Sequence, residues 1–162
     1  MSTLIQQAEI NKGILAVLTE AFESVQGYFL DRNTSLFETL AGITASEASI
    51  PVGNQCATIA AQTAHVNFYM EVLENYLQTG KSESVDWGEI WRTVREVTPE
   101  EWLASQERLK QTYLRLRRYI ESFDRWETED SIAGAIALVA HSAYHLGEIR
   151  QATCTVKPSS RP

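Results

Sequence analysis

The chain has 162 residues, of which 44% are hydrophobic and 22% are charged, as in ordinary soluble globular domains. This length favours a single core, which we assign to residues 1–156, followed by a short tail at residues 157–162. The formal net charge of −7 argues against nucleic acid and anionic membranes as partners, because the average surface repels phosphate groups.

Three further features predict a cytoplasmic protein. The N-terminal residues lack the positive segment and unbroken apolar run of a signal peptide. The longest apolar run, Ile132 to Ala140, is about half of the roughly 20 residues that a membrane span needs. Cys56 and Cys154 do not form a disulfide framework, and we expect both to be reduced, buried thiols.

The first half of the chain predicts two long helices. Apolar residues recur at steps of four and three from Leu4 to Phe29, with Asn11 as the polar exception. The stretch from Asp31 to Pro51 is typical of a connection with a turn of helix inside it. A second helix is predicted from about Asn54 to Gln78, ended by Thr79 and Gly80, and its wide apolar surface indicates packing between neighbours.

The second half predicts two more long helices. Residues 81–97 are polar and irregular, with a short helix expected at about residues 89–94. Thr98, Pro99 and Glu101 have the pattern of a capping box that begins the third long helix. The fourth begins near residues 128–130 and continues to about Cys154. A basic cluster on the third helix, which glutamates accompany, is typical of a solvated face; it consists of Arg108, Lys110, Arg115, Arg117 and Arg118.

These elements predict an all-α fold, a four-helix bundle with long connections. The connections are of unequal length, and long connections permit crossovers. The helix order up-down-down-up is therefore an alternative to simple alternation.

The stretch HSAYHLGEIRQ contains two of the three histidines of the chain, four residues apart. Residues at this spacing share one face of a helix, close enough for His141 and His145 to chelate one ion. His65 lies midway along the second helix, and a bundle places the middles of its helices opposite one another. The three histidines therefore predict a metal site in the core, although buried, hydrogen-bonded imidazoles are an equal alternative on spacing alone.

Other metal chemistries disagree with the sequence. Cys56 and Cys154 are each nine residues from the neighbouring histidine, about 13 Å along a helix and on its opposite face. A zincin needs glutamate where Ser142 stands. A di-iron carboxylate site needs Glu-x-x-His pairs, but Gln62, Leu138 and Ser142 precede the histidines by three residues.

In the placement of its three histidines, the chain resembles the DinB/YfiT-like superfamily of metal-dependent helical bundles. That family has one histidine in its second long helix and an H-x-x-x-H-x-G-Q motif in its last. The matching residues are His65, His141 and His145, with Gly147 in the expected place. Glu148 replaces the usual glutamine, and Tyr144 stands where a further histidine is common.

The resemblance implies an enzyme in which a divalent metal on the three histidines activates a low-molecular-weight thiol, such as bacillithiol, mycothiol or glutathione, for attack on an electrophile. Zinc is the expected metal, with nickel, iron and manganese as alternatives. Glu148 is a candidate catalytic residue if it faces the open coordination position; its other reading is a carboxylate behind the ligands or at the surface. The resemblance also implies a homodimer.

Two alternatives remain open. One is a metal-dependent hydrolase that activates water at the same site. The other is a non-enzymatic helical bundle that binds a metal or a small hydrophobic ligand. Tyr69, one turn after His65, and Trp87 are the candidate residues for contact with such a ligand or cofactor, alongside Phe68.

Overall fold

The computed structural model describes residues 6–53, 56–82, 84–124, 126 and 128–157. These residues form seven helices and no strand, which confirms the all-α class. The helices are α1 (Gln7–Phe22), α2 (Leu36–Ala41), α3 (Ala45–Ala48), α4 (Ile59–Thr79), α5 (Glu89–Thr93), α6 (Pro99–Glu121) and α7 (Glu129–Val156). Leu4, Asn54 and the tail beyond Lys157 lie outside the described residues.

Helix α1 is shorter than the apolar pattern predicts, because it ends at Phe22 and not near Phe29. The buried carboxylate of Glu20 accepts backbone N–H bonds from Gln26 and from residues 28–30, at 2.6 to 3.0 Å. These bonds fold the following segment back over the end of α1. Phe29 is left 44% exposed, so its place in the predicted apolar stripe was wrong.

Asn11, the polar residue of the α1 stripe, joins α1 to the end of α6. Its side-chain amide donates to the backbone carbonyls of Ile120 and Phe123, at 3.2 and 2.8 Å. Its side-chain oxygen accepts from the indole of Trp126 and the amide of Gln7, both at 2.9 Å. A buried amide with so many partners has its desolvation offset, which explains its place in the core.

The start of α6 and the end of α4 agree with the sequence pattern, whereas the start of α4 does not. The predicted capping box of Thr98 and Glu101 is present at α6, and Gly80 ends α4 with a left-handed φ of 67°. Helix α4 begins later than expected, at Ile59, because Thr58 is its N-cap and accepts from the N–H of Ala61.

Helices α4 and α7 are antiparallel along a contact that contains the three histidines. The methyl group of Leu73 lies 3.2 Å from where a Cβ on Gly134 would stand, so glycine allows the two helices to approach closely. Further along, Tyr69 stacks on His141, and Gln62 bonds to His145. Along this contact the residue numbers rise on α7 as they fall on α4, so the two helices run in opposite directions.

Contacts of α6 define the directions of the other long helices. Arg108 and Arg115 of α6 form ion pairs with Glu71 and Glu74 of α4, so these two helices are parallel. Helix α1 is antiparallel to α6, because Asn11 meets Ile120 whereas Glu23 lies near Tyr113. Members of the predicted solvated basic face thus pair with carboxylates of neighbouring helices.

The core lies between α1, α4, α6 and α7, where α1 and α4 each pack against both α6 and α7. Within the described part of the chain, no helix has the length and apolar character needed to cross a membrane. Both cysteines are free and exposed, so the prediction that they are buried was wrong. Cys56 precedes α4 in a polar segment, and Cys154 lies on the outer face of α7.

The Glu20 anchor predicts a specific pH dependence of stability. Burial alone raises the pKa of Glu20, but its four backbone N–H donors together lower it from 4.5 to about 2. Because the pKa of Glu20 is lower in the folded than in the unfolded chain, its carboxylate contributes stability above pH 4.5, and this contribution is lost as the pH falls towards 2. We expect Glu20→Gln to cost about 2 kcal/mol at pH 7, since the amide has no charge and has one acceptor oxygen where the carboxylate has two.

Urea unfolding at pH 7 and pH 3 measures this effect. The difference between wild type and Glu20→Gln should shrink at the lower pH. Glu9→Gln, an exposed change of the same kind on the same helix, is the control and should stay within about 0.5 kcal/mol of wild type. Equal destabilisation by Glu20→Gln at both pH values would contradict the role of the ionised carboxylate.

Candidate metal centre

The three histidines of the chain meet at the contact between α4 and α7. His65 lies one turn before Tyr69 on α4, while His141 and His145 occupy successive turns of α7 on the face that meets α4. The imidazole centroids are 5.2 Å apart for His65 and His141, 4.8 Å for His65 and His145, and 4.4 Å for His141 and His145. The predicted assembly of these residues is therefore present.

The ring nitrogens of this cluster lie close enough together to become the ligands of one metal ion after small side-chain rotations. One ligand atom from each histidine lies within 4.8 Å of the others. Neighbouring nitrogens of a tetrahedral zinc site are about 3.4 Å apart, since Zn–N bonds are about 2.0–2.1 Å, so modest side-chain rotations would close the set. His65 Nδ1 and His141 Nε2 are buried and have no hydrogen-bond partner among the described residues. Such orphaned nitrogens need an explanation, and a bound cation supplies one.

The ring of His145 differs from the other two, because its Nδ1 atom has hydrogen-bond partners. His145 Nδ1 lies 2.6 Å from the side-chain oxygen of Gln62 and 2.9 Å from a carboxylate oxygen of Glu148. Both are acceptors, so Nδ1 carries the proton and the Nε2 lone pair is left for a metal. A carboxylate behind a ligating histidine fixes the tautomer and increases the basicity of the ring.

Burial keeps the histidines neutral. It lowers the pKa of His65 to about 4, helped by repulsion from a charged His145 and opposed by Glu148. Burial likewise lowers the pKa of His141 to about 4, with repulsion from the other two rings adding to the effect. The pKa of His145 is also lowered by burial, against the opposing pull of Glu148. At neutral pH the three imidazoles therefore hold lone pairs that protons do not occupy.

Two aromatic rings cover the cluster. Tyr69 stacks on His141 with centroids 3.7 Å apart and planes inclined by 16°, and Trp91 of α5 lies 4.3 Å from His65. His65 is 7% exposed and His145 is 5% exposed. The rings restrict water around the donors and hold two of the imidazoles in place, as a rigid metal site requires.

The other predicted site residues lie around this cluster at different distances. Glu148 contacts His145, and its carboxylate also raises the pKa of the Tyr144 hydroxyl on the exposed side of α7. Trp87 does not stack on a histidine; it lines a cavity together with Tyr69 and Phe68.

Sequence reasoning did not identify Gln62 or Trp91 as parts of the site. Gln62 precedes His65 by one turn, which was a usable signal, because residues three apart share a helix face. Trp91 lies in the predicted short helix, but its contact with His65 depends on how α5 packs against α4.

The described residues thus define an all-helical protein with a cluster of three histidines, two of them buried, that could hold a metal ion. Three imidazoles with a carboxylate behind one of them suit zinc and other divalent transition metals. Comparisons with models of protein families, with curated proteins and with solved structures find no match to this chain.

Metal content tests the cluster directly. Elemental analysis of untagged protein should find close to one divalent ion per chain, and His65→Ala, His141→Ala and His145→Ala should each lose most of it. Ile136→Ala, an exposed change on α7, should keep the metal. Adding zinc to metal-free wild type at a hundred times its Kd should raise the unfolding free energy by about 2.7 kcal/mol. Equal metal content in wild type and His141→Ala would rule the site out.

The contact between Glu148 and His145 predicts a graded effect on metal affinity. We expect Glu148→Ala to weaken metal binding by about 10- to 100-fold, and Glu148→Gln to lose less because an amide oxygen still accepts the Nδ1 proton. Competition with a chelator of known affinity measures both, with the exposed Gln151→Ala on α7 as the control. An unchanged affinity in Glu148→Ala would show that the carboxylate does not support the ligand.

Proposed function

We propose that the chain is a divalent-metal-dependent enzyme, a transferase that activates a low-molecular-weight thiol for attack on an electrophile. The observation that carries this proposal is the set of three converging neutral histidines, with orphaned nitrogens on His65 and His141 and an anchored tautomer on His145. Its expected relatives are the DinB/YfiT-like proteins, which the histidine pattern resembles.

The donor set supports this chemistry through its charge. Three neutral imidazoles would leave a bound zinc ion with its full positive charge, which favours an anionic fourth ligand such as a thiolate or hydroxide. His145 would keep its Nδ1 proton, which it donates to Gln62 and Glu148, so the lone pair of its Nε2 atom would stay free for a metal. Tyr69 and Trp91 would hold the rings and limit the access of water, which strengthens electrostatic effects inside the site.

The proposed reaction is a nucleophilic substitution by the thiol at an electrophilic carbon. The thiol loses its proton to solvent, its sulfur forms a bond to the electrophilic carbon, and the leaving group departs with the bonding electron pair. Glu148 is 2.9 Å from His145 Nδ1, and this contact favours a role in positioning the ligand over direct proton transfer to substrate.

The architecture that suits this function is a four-helix bundle in up-down-down-up order. The proposal is supported by the antiparallel pairs α1 with α6 and α4 with α7, together with the parallel pair α4 with α6. We also propose a cytoplasmic homodimer that binds neither nucleic acid nor membranes. The acidic net charge supports the expectation that nucleic acid and membranes are not partners. The exposed side chains of Ile136 and Tyr144 on the outer face of α7 support dimer formation.

A second candidate function has its own observation. His65 and His145 are more than nine-tenths buried and His141 is only partly exposed, and a site with so little access to solvent favours a structural or sensory metal over catalysis. A non-enzymatic metal-binding bundle would have the same metal content and would lack turnover. A hydrolase would use the same site with hydroxide in place of thiolate.

Thiol conjugation separates these candidates. Zinc-loaded protein should accelerate the reaction of bacillithiol, mycothiol or glutathione with 1-chloro-2,4-dinitrobenzene, measured by absorbance, at least tenfold over free zinc. Removing one oriented imidazole by His141→Ala should abolish this acceleration, while the exposed change Gln151→Ala on α7 should leave it unchanged. Metal uptake without turnover for all three thiols would favour the binding bundle.

A further inference from the structure

A cavity of about 400 Å³ lies beside the metal centre and shares a wall with it. We call it the aromatic cavity, because its walls contain the rings of Phe68, Tyr69, Tyr76 and Trp87. Tyr69 is the shared wall, since its ring lines the cavity and also stacks on His141 at 3.7 Å. A molecule in contact with Tyr69 would therefore touch a residue that itself contacts the histidine cluster.

The arrangement of the rings suits a flat apolar molecule. Trp87 lies edge-on to Phe68, with centroids 5.6 Å apart, and 6.1 Å from Tyr69. Trp87 is 45% exposed, although burial of so large an apolar surface is favourable. The volume lies in the range of small-molecule sites, which are mostly apolar with a few polar groups that orient the ligand.

The charge at the cavity selects among flat molecules. Lys81 lines it, and the ion pairs among the described residues do not include this lysine. Glu71 also lines it, but both of its carboxylate oxygens accept bonds from Arg108, at 2.9 and 2.7 Å. An exposed ammonium group beside aromatic walls attracts an anion at this point, against the repulsion of the chain's net negative charge.

We propose that the aromatic cavity binds a small planar aromatic anion, with its ring against the side chains of Tyr69 and Trp87 and its negative group at Lys81. As the pocket of the electrophilic substrate, this assignment rests on the proposed function. Binding itself does not depend on a metal, because none of the cavity residues is a member of the histidine cluster.

Calorimetric titration with 2-naphthoate tests the proposal in metal-free and zinc-loaded protein. Saturable binding at one site is expected in both. Trp87→Ala should weaken it by about tenfold, as the loss of one aromatic contact predicts. Lys81→Gln should weaken it by about three- to fivefold and leave the binding of uncharged 2-naphthamide unchanged. Leu103→Ala and Lys12→Gln, exposed changes on α6 and α1, are the matched controls.

The titrations test the cavity, the role of Lys81 and the proposed function separately. Absence of saturable naphthoate binding, or equal weakening by Leu103→Ala, would overturn the cavity as a site. Equal affinity for naphthoate and naphthamide would overturn the role of Lys81 and leave an uncharged aromatic as the occupant. Metal uptake with no naphthoate binding would sink this inference alone, whereas naphthoate binding without metal uptake would sink the proposed function alone.

Discussion

The antiparallel contact between α4 and α7 is the constraint on which the rest of this structure depends. Gly134 allows the close approach to Leu73, and the same register places Tyr69 on His141 and Gln62 on His145. A shift by one residue would rotate the facing side chains by about 100° and separate His65 from the pair on α7. The site is therefore a property of helix packing more than of any one segment.

The protonation of the three histidines in that contact follows from their burial and from one nearby carboxylate, that of Glu148. Burial lowers the pKa values of His65 and His141 to about 4, so the lone pairs that would bind a metal are free at neutral pH. Glu148 acts in the opposite sense on His145, by accepting from its Nδ1. Only His145 therefore has a carboxylate behind its ring, whereas His65 and His141 have none. This difference would give the three ligands unequal basicity.

Sequence patterns were informative where one residue type determines local geometry. The capping box at Thr98, the stop at Gly80 and the shared face of His141 and His145 were all predictable, because each depends on neighbours within one helix turn. The end of α1 was not predictable from its apolar pattern. The pattern continues past Phe22, but the backbone bonds of Glu20 compete with the helix and prevail.

By itself, the sequence determined an all-helical chain and the three histidines as the candidate metal ligands, since spacing within a helix and the position of His65 near the middle of α4 are local facts. Only the tertiary structure decided that Trp91 covers His65, that Gln62 of α4 bonds to His145 of α7, and that Trp87 lines a cavity beside the cluster. These relations depend on the rotation and separation of helices that are far apart in the chain, and side-chain packing sets those quantities.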